Sequence, residues 1–138
     1  YDIPLKIRTE RINNFATQFE IIENLDQRIL EYSHGMRQKI VLIGALLNDS
    51  NNLILDEPMV GLDPKAAYVL KKIMREYANA NKTVLFSTHV LEIAEKICDR
   101  VCIINKGEII AIGTIDEIKQ KFNNGTLENI FLEITEDE

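Results

Sequence analysis

Residues 53–64 read Leu-Ile-Leu-Asp-Glu-Pro-Met-Val-Gly-Leu-Asp-Pro, an apolar run that passes directly into acidic residues. The carboxylates of Asp56 and Glu57 are adjacent, and Pro58 ends the strand because it cannot donate a hydrogen bond to a neighbouring strand. A buried strand with acidic residues at its carboxyl end is how parallel sheets build sites for Mg²⁺ and phosphate. The stretch therefore predicts a short, fully buried strand at residues 53–56 with a phosphate-handling edge.

The segments that follow predict alternating helices and strands. Asp63 suits a helix N-cap and Pro64 the first helical turn, and an apolar stripe continues through residues 66–77. Residues 83–87 are rich in Val, Leu and Phe and predict a second buried strand, and residues 89–97 predict another helix. The β-α-β-α-β order favours a parallel sheet with covering helices, which places the chain in the α/β class.

The first third of the sequence carries helical patterns only. Apolar residues recur at helical spacing over residues 5–19, and Asn24 is placed to cap a shorter apolar segment. Residues 35–47 are apolar on nearly every side after their first turn, which predicts a buried helix. These patterns predict a helical lobe that is separate from the sheet.

The last third predicts a hairpin and a helix. Residues 101–104 and 108–112 have strand character and are joined by a turn at residues 106–107. Thr114 followed by Glu117 forms a capping box that opens a helix. The tail alternates weakly between apolar and polar residues and then ends in acids.

Composition limits the kind of protein. With 138 residues, 46% of them apolar and 28% charged, we expect one globular domain. The net charge of −6 argues against non-specific affinity for nucleic acid, so we expect no nucleic-acid partner. No apolar run reaches the roughly 18–20 residues of a membrane span, and no signal-peptide pattern is present. The two cysteines, Cys98 and Cys102, do not match zinc spacing and favour reduced thiols in a cytoplasmic protein.

Six residues are candidates for chemistry at phosphate: Asp56, Glu57, Ser33, Gly35, Asp63 and His89. Hydrolysis of a phosphate needs a hard cation and a group that orients the attacking water. Because successive side chains on a strand point to opposite sides, Asp56 and Glu57 can do these two jobs separately. Ser33 and Gly35 stand at the amino end of a predicted helix, where unpaired backbone amides attract anions.

Each candidate is also compatible with a purely structural role. The two acids suit a solvated turn after a core strand, and the serine and glycine suit an N-cap beside a flexible residue. Asp63 caps a helix in either case. A lone histidine near a strand end, such as His89, is more often structural than catalytic.

Taken in order, these motifs resemble the ATP-binding cassette (ABC) family of transport ATPases. Residues 32–39, Tyr-Ser-His-Gly-Met-Arg-Gln-Lys, resemble the family's signature loop. Residues 53–57 resemble its Walker B strand, residues 61–64 its D-loop, and His89 its switch histidine. The resemblance implies an α/β fold: a RecA-like P-loop NTPase core, with a partial parallel sheet and covering helices, plus a helical lobe that carries the signature loop.

The resemblance divides the chain into three parts of one truncated nucleotide-binding domain. Residues 1–48 form the helical lobe with the signature loop. Residues 49–113 form a partial ATPase core that ends in a hairpin, and residues 114–138 form a carboxyl-terminal helix and tail. The sequence contains no Gly-x-x-x-x-Gly-Lys-Ser/Thr phosphate loop, which belongs upstream in the family. We therefore expect the full-length parent to be the enzyme, and this chain alone to bind ATP weakly and to be inactive.

The resemblance also implies a role for each candidate, with ATP as nucleotide and Mg²⁺ as metal. Asp56 assists the Mg²⁺ ion through water, and Glu57 polarises the water that attacks. His89 contacts the γ-phosphate and helps to hold that water.

Other candidates are implied to act across a dimer. Ser33 and Gly35 close over ATP held by the opposite subunit. Asp63 belongs to the D-loop, which meets its counterpart at the dimer interface.

The signature loop departs from the family's commonest pattern in a way that is itself informative. Tyr32 replaces Leu, His34 replaces the first Gly, and Met36 replaces Gln. Such versions, together with a tail like residues 127–131, resemble the exporter ATPases that pair with separately encoded permeases. The implied partners are a second ATPase subunit, in a homodimer or heterodimer, and an integral membrane permease. That permease would hold the protein on the inner face of the cell membrane.

Three further classes of protein share some of these motifs. A soluble ATPase of the DNA-repair or chromosome-structuring kind inserts long coiled coils where this chain has a compact helical lobe. A translation-associated protein carries two cassettes joined by a charged linker, and the tail has no such linker. A binding module without turnover is disfavoured by the intact Asp56, Glu57 and His89.

Overall fold

The computed structural model describes residues 3–122 and 125–136. The acidic end of the predicted tail, at residues 137–138, lies outside the described residues, as do residues 1–2 and 123–124. The chain divides into two compact units, Tyr1–Ser87 and Thr88–Glu138. The three-part division drawn from the motifs stays a prediction.

The first unit begins with two long helices, α1 (Leu5–Gln18) and α2 (His34–Leu47), which pack on each other. Apolar residues at helical spacing produce both helices, as predicted. The Arg11 side chain of α1 donates a hydrogen bond of 2.6 Å to the carbonyl of Leu47. Because the last carbonyls of a helix have no partner within it, this bond stabilises the carboxyl end of α2.

The segment between the two helices differs from its prediction. Instead of a short α-helix capped by Asn24, it contains two 3₁₀ turns, Ile22–Asn24 and Ile29–Glu31. Leu30 is 88% exposed. A short helix needs an apolar face packed against something, and this segment does not bury one.

A two-stranded parallel sheet completes the first unit. It consists of β1 (Asn52–Leu55) and β2 (Thr83–Phe86), and α3 (Pro64–Asn79) connects the strands and contacts β2. The Asp63 carboxylate accepts a hydrogen bond of 2.9 Å from the N–H of Ala66, so α3 begins at the predicted cap. The strands are aligned residue for residue, and both end at the same edge.

The predictions of a fully buried first strand and a buried second strand are wrong. Leu53 and Leu55 of β1 are 3% and 9% exposed, whereas Ile54 between them is 73% exposed. Leu85 of β2 is 61% exposed. Because side chains alternate between the two faces of a strand, one face of this sheet is packed and the other is open among the described residues.

The predicted parallel pairing of strands is confirmed for the first two strands only. The third strand, β3 (Arg100–Asn105), pairs antiparallel with β4 (Glu108–Thr114) in a second sheet. This hairpin agrees with its prediction. Lys106 and Gly107 have φ of 47° and 83°, the positive values that a tight two-residue hairpin turn requires.

Three helices pack with that hairpin in the second unit: α4 (Leu91–Ile97), α5 (Ile115–Lys121) and α6 (Leu127–Glu136). Thr114 and Glu117 form the predicted capping box at the start of α5. The unit has a small apolar core of its own, made by Ala94, Ile103, Ala111, Ile118, Leu127 and Ile130. Among the helices of the described residues, none has the length and apolar character of a membrane span.

An ionic cluster fastens the end of α2 to the start of β2. Asp49 pairs with Lys82 and, at 3.3 Å, with Arg11. The Lys82 ammonium also lies 4.7 Å from the centre of the Tyr77 ring. The hydrogen bond from Lys82, assisted by the charge of Arg11, holds the pKa of Asp49 below its ordinary value of 3.8.

Candidate functional site

The acidic pair lies at the edge where the two parallel strands end. Asp56 follows β1 directly and is exposed, and Glu57 is half-buried. Glu57 has a φ of 43°, a left-handed conformation that residues other than glycine seldom adopt. Strain of this kind persists only where the surroundings hold the residue, and it concentrates at functional sites.

The hydroxyl of Ser87, at the end of β2, holds both acidic residues. It donates a hydrogen bond to the carboxylate of Asp56 and accepts one of 3.0 Å from the backbone N–H of Glu57. The N–H of Ser87 donates in turn to the carbonyl of Leu55 at 3.0 Å. One small side chain thus fixes the direction of the Asp56 carboxylate and the backbone of Glu57.

The donors at this edge suit a magnesium ion. Mg²⁺ prefers oxygen ligands and is usually held by one or two carboxylates, with water and phosphate oxygens as the rest. Asp56 presents an exposed carboxylate beside a hydroxyl, which fits that chemistry. In the described part of the chain, three metal-binding side chains do not cluster anywhere, so an ion here would take most of its ligands from water and phosphate.

The amino end of α2 has the features of an anion site. The hydroxyl of Ser33 caps the helix by accepting a hydrogen bond of 3.2 Å from the N–H of Met36. Ser33 and His34 are exposed and Gly35 is half-buried. The first N–H groups of a helix have no carbonyl partner within it, and together with the helix dipole they favour a negatively charged ligand.

The residue before this cap explains how the loop is anchored. Tyr32 is 3% exposed, and its hydroxyl donates a hydrogen bond of 2.6 Å to the carbonyl of Asn24. Its own carbonyl accepts a hydrogen bond of 3.0 Å from Nε of Arg37. The tyrosine at this position therefore ties the start of α2 to the preceding turn.

Asp63 is held from two sides. Its Oδ1 caps α3 through the N–H of Ala66, and its Oδ2 lies 2.7 Å from Nζ of Lys39 on α2. The hydrogen bond from Lys39, followed by that from Ala66, holds the pKa of Asp63 below its ordinary value of 3.8. The carboxylate is therefore fully charged at neutral pH.

The predicted residues of the first unit fall into two groups. The sheet edge carries the acidic pair described above. The amino end of α2 carries Ser33 and Gly35, and Lys39 links the same helix to Asp63. His89 lies in the second unit, just before α4, and its side chain is exposed.

Two residues of these groups were missed by reasoning from the sequence. Ser87 carried a signal, because a hydroxyl that ends the strand next to the acidic pair is well placed to bond it. Lys39 carried none, because a lysine on a helix is ordinarily expected to face water. Its side chain is only 13% exposed, which the sequence does not reveal.

A parallel strand that ends in an acidic pair, in a unit that also contains a helical lobe, is typical of the RecA-like P-loop nucleotide-binding domains. The sequence model of one family in this class, described as ABC transporter, matches residues 6–60. The chain belongs to the ABC transporter family.

Individual relatives agree with this membership. The chain is 32% identical over 100% of its length to the ABC-type transporter ATP-binding protein EcsA of Bacillus subtilis, covering 57% of that protein. It is 42% identical over 70% of its length to the Nod factor export ATP-binding protein I of Rhizobium meliloti, covering 29% of it.

A solved structure of the ATP binding subunit of an ABC transporter matches the fold closely. It superposes on 98% of the chain with a TM-score of 0.92 at 31% sequence identity, and the chain covers 57% of it. The chain therefore spans between 29% and 57% of the length of these three proteins.

Proposed function

We propose that this chain is the catalytic, carboxyl-terminal part of the nucleotide-binding domain of an ATP-hydrolysing subunit, which powers export through a separate membrane permease. The observation that carries the proposal is the acidic pair at the sheet edge, with Glu57 held in a strained conformation by Ser87. Membership of the ABC transporter family supports ATP as the nucleotide.

Each residue of the site has a distinct role in this proposal. A bound Mg²⁺ would neutralise charge on the phosphate oxygens, and Asp56 would hold it through water. Glu57 accepts a hydrogen bond from the attacking water and polarises it. His89 contacts the γ-phosphate and helps to place the same water.

The proposed active assembly is a dimer. Ser33 and Gly35 offer helix N–H groups and a small hydroxyl to the phosphates of ATP held by the opposite subunit. Asp63 lies in the segment that meets its counterpart at the interface. Each of the two sites would then combine the acidic pair of one subunit with the α2 end of the other.

The assignment to export rests on similarity to a protein named for that activity, the Nod factor export ATP-binding protein I. The permease partner would place the subunit on the cytoplasmic side of the membrane. Co-purification of the full-length protein with the product of a neighbouring permease gene tests this. Recovery from the soluble fraction alone, with the permease co-expressed, would contradict it.

Substitution of Glu57 tests the hydrolytic role. In the full-length protein, Glu57→Gln keeps the size of the side chain but loses the charge that polarises water. We expect phosphate release to fall by about 10²–10⁴-fold, the range for removing a positioned base, while ATP binding measured by calorimetry is kept. The matched control is Glu76→Gln, on the exposed face of α3, which should leave the rate unchanged. Near-normal hydrolysis by Glu57→Gln would refute the assignment.

A further inference from the structure

The amino end of α2 and the segment that precedes α3 touch each other in the first unit. A Cβ atom added to Gly35 would lie 2.9 Å from the carbonyl oxygen of Gly61, closer than side-chain carbons normally come to backbone oxygen. Gly35 therefore has a packing role besides its proposed contact with phosphate. Any larger residue there would push the Gly61 backbone away.

His34 reinforces the same contact from the neighbouring position. A Cβ atom added to Gly61 would lie 2.5 Å from Cδ2 and 2.6 Å from Nε2 of the His34 ring. The imidazole thus occupies the space that a side chain at position 61 would need. The φ of Gly61 is 80°, so both the backbone conformation and the available space require glycine.

Lys39 makes the third contact, one helical turn further along α2. Residues four apart lie on the same face of a helix, so Gly35 and Lys39 both face the segment before α3. The Lys39 ammonium lies 2.7 Å from the Asp63 carboxylate. The Lys39 side chain is 13% exposed and that of Asp63 is 48% exposed, so water reaches this ion pair mainly from the Asp63 side.

We propose that Lys39 is a positioning residue that, with His34, makes the anion-binding end of α2 and residues 61–63 move as one rigid piece. The inference rests on the proposed function and deepens it. In the proposed function, Ser33 and Gly35 contact the phosphates of a bound nucleotide, and Asp63 lies in the segment at the dimer interface. Because the two segments are rigidly linked, phosphate bound at the amino end of α2 also fixes the position of residues 61–63.

Three variants of the full-length protein isolate this link. Lys39→Met removes the charge and keeps the length of the side chain, whereas Lys39→Arg keeps a charge that can reach Asp63. Asp63→Asn removes the opposite charge and still caps α3, because Asn is as good an N-cap as Asp. Lys65→Met is the matched control, since Lys65 also pairs with an acid, Glu20, but is 67% exposed.

Hydrogen exchange without nucleotide gives the first measurement. In Lys39→Met we expect amide exchange to accelerate about 5- to 30-fold in both segments, residues 32–36 and residues 59–64, the range for losing one or two kcal/mol. Lys39→Arg and the Lys65→Met control should exchange as the unchanged protein does. The Lys39→Met, Asp63→Asn double variant should be no faster than either single variant, because both remove one pair.

Steady-state kinetics give the second measurement. We expect Lys39→Met to lower kcat at saturating ATP by about 5- to 30-fold with little change in the affinity of a single subunit for ATP, and Lys39→Arg to restore the rate. If Lys39 had a purely structural role, Lys39→Met would instead lower the amount of folded protein and would not lower kcat separately from the affinity for ATP. Acceleration in only one of the two segments, or in neither, overturns the proposal. Hydrogen exchange is measured without ATP, so its result does not depend on hydrolysis. If the unchanged protein did not hydrolyse ATP, the proposed function would be refuted, and the exchange result would still decide whether the link exists.

Discussion

The hydroxyl of Ser87 donates a hydrogen bond to the carboxylate of Asp56, although the two residues are 31 positions apart in the chain. The contact exists because β1 and β2 are parallel neighbours that end at the same edge. The same hydroxyl accepts the N–H of Glu57, whose φ of 43° is costly without such support. The site at this edge is therefore built from two strands.

Ser87→Ala in the full-length protein is expected to impair the proposed roles of Asp56 and Glu57 together, because the Ser87 hydroxyl bonds both residues. A hydrogen bond to a charged group contributes about 1.5–3 kcal/mol, so phosphate release should fall by roughly 10- to 100-fold, and the Mg²⁺ concentration for half-maximal rate should rise. Ser87→Thr, which keeps the hydroxyl, should recover most of the rate. Thr83→Ala at the start of β2 is the control. A normal rate with a normal Mg²⁺ requirement in Ser87→Ala would contradict the role given to this hydroxyl.

A mixed dimer of the full-length protein tests the composite sites. One subunit carries Ser33→Arg and the other Glu57→Gln. If each site combines both subunits, the two defects fall on one site, the other stays intact, and about half of the phosphate-release activity remains. If each subunit acts on its own nucleotide, both sites are damaged and activity is almost lost.

That experiment needs two controls. Ser33 also caps α2, so urea unfolding of Ser33→Arg and Ser33→Ala measures how far loss of the cap alone destabilises the protein. Coupling between the sites can hide the difference, so ATP-dependent dimerisation of each single variant should be followed by light scattering alongside the rates.

Gly61→Ala is expected to destabilise the first unit, because it forces a non-glycine residue to a φ of 80° and pushes on His34. The expected loss is about 1–3 kcal/mol in the free energy of unfolding, measured by urea denaturation. Gly107→Ala has a similar φ of 83° but open space around it, so it reports the backbone cost alone. In a His34→Ala background the cost of Gly61→Ala should shrink. An equal cost in both backgrounds would show that the imidazole does not fill this space.

The ion pair of Asp49 with Lys82 predicts a pH dependence of stability. The pKa of Asp49 in the folded chain lies below 3.8, chiefly because of the hydrogen bond from Lys82, so folding favours the charged carboxylate. Its contribution to stability is present above about pH 4, the unfolded value, and is lost as the pH falls through the lower folded pKa. Asp49→Asn should therefore be less stable than the unchanged chain at pH 7, with the two curves converging in acid.

Urea unfolding between about pH 7 and the acid range below the unfolded pKa measures this effect. Lys82→Met should flatten the same part of the curve, because it removes the partner that lowers the pKa. A constant difference between the unchanged chain and Asp49→Asn over that whole range would exclude the ion pair as its cause.

Local patterns allowed much of this fold to be predicted. Asp63 and Pro64 begin α3 where the sequence placed a helix start, because capping depends on residues within one turn. The hairpin turn at Lys106 and Gly107 was likewise predicted from adjacent residues. Ser33 was placed at the amino end of a helix, and its hydroxyl does cap α2.

Features that depend on distant parts of the chain could not be predicted. An apolar run such as that of β1 has the same sequence pattern whether one face of the strand is packed or both faces are. The exposure of Ile54 could therefore not be predicted. The pairing of Lys39 with Asp63 depends on how α2 lies against the start of α3, which no local pattern encodes.

The open face of the two-stranded sheet also affects how this chain behaves in solution. Ile54 and Leu85, 73% and 61% exposed, are neighbours in the β1–β2 register and present an adjoining apolar surface. Two-stranded sheets are marginally stable by themselves, and an exposed apolar patch favours association with other molecules. Preparations of this chain alone should consequently self-associate through this face as concentration rises, and acidic substitutions at these two positions should keep it monomeric.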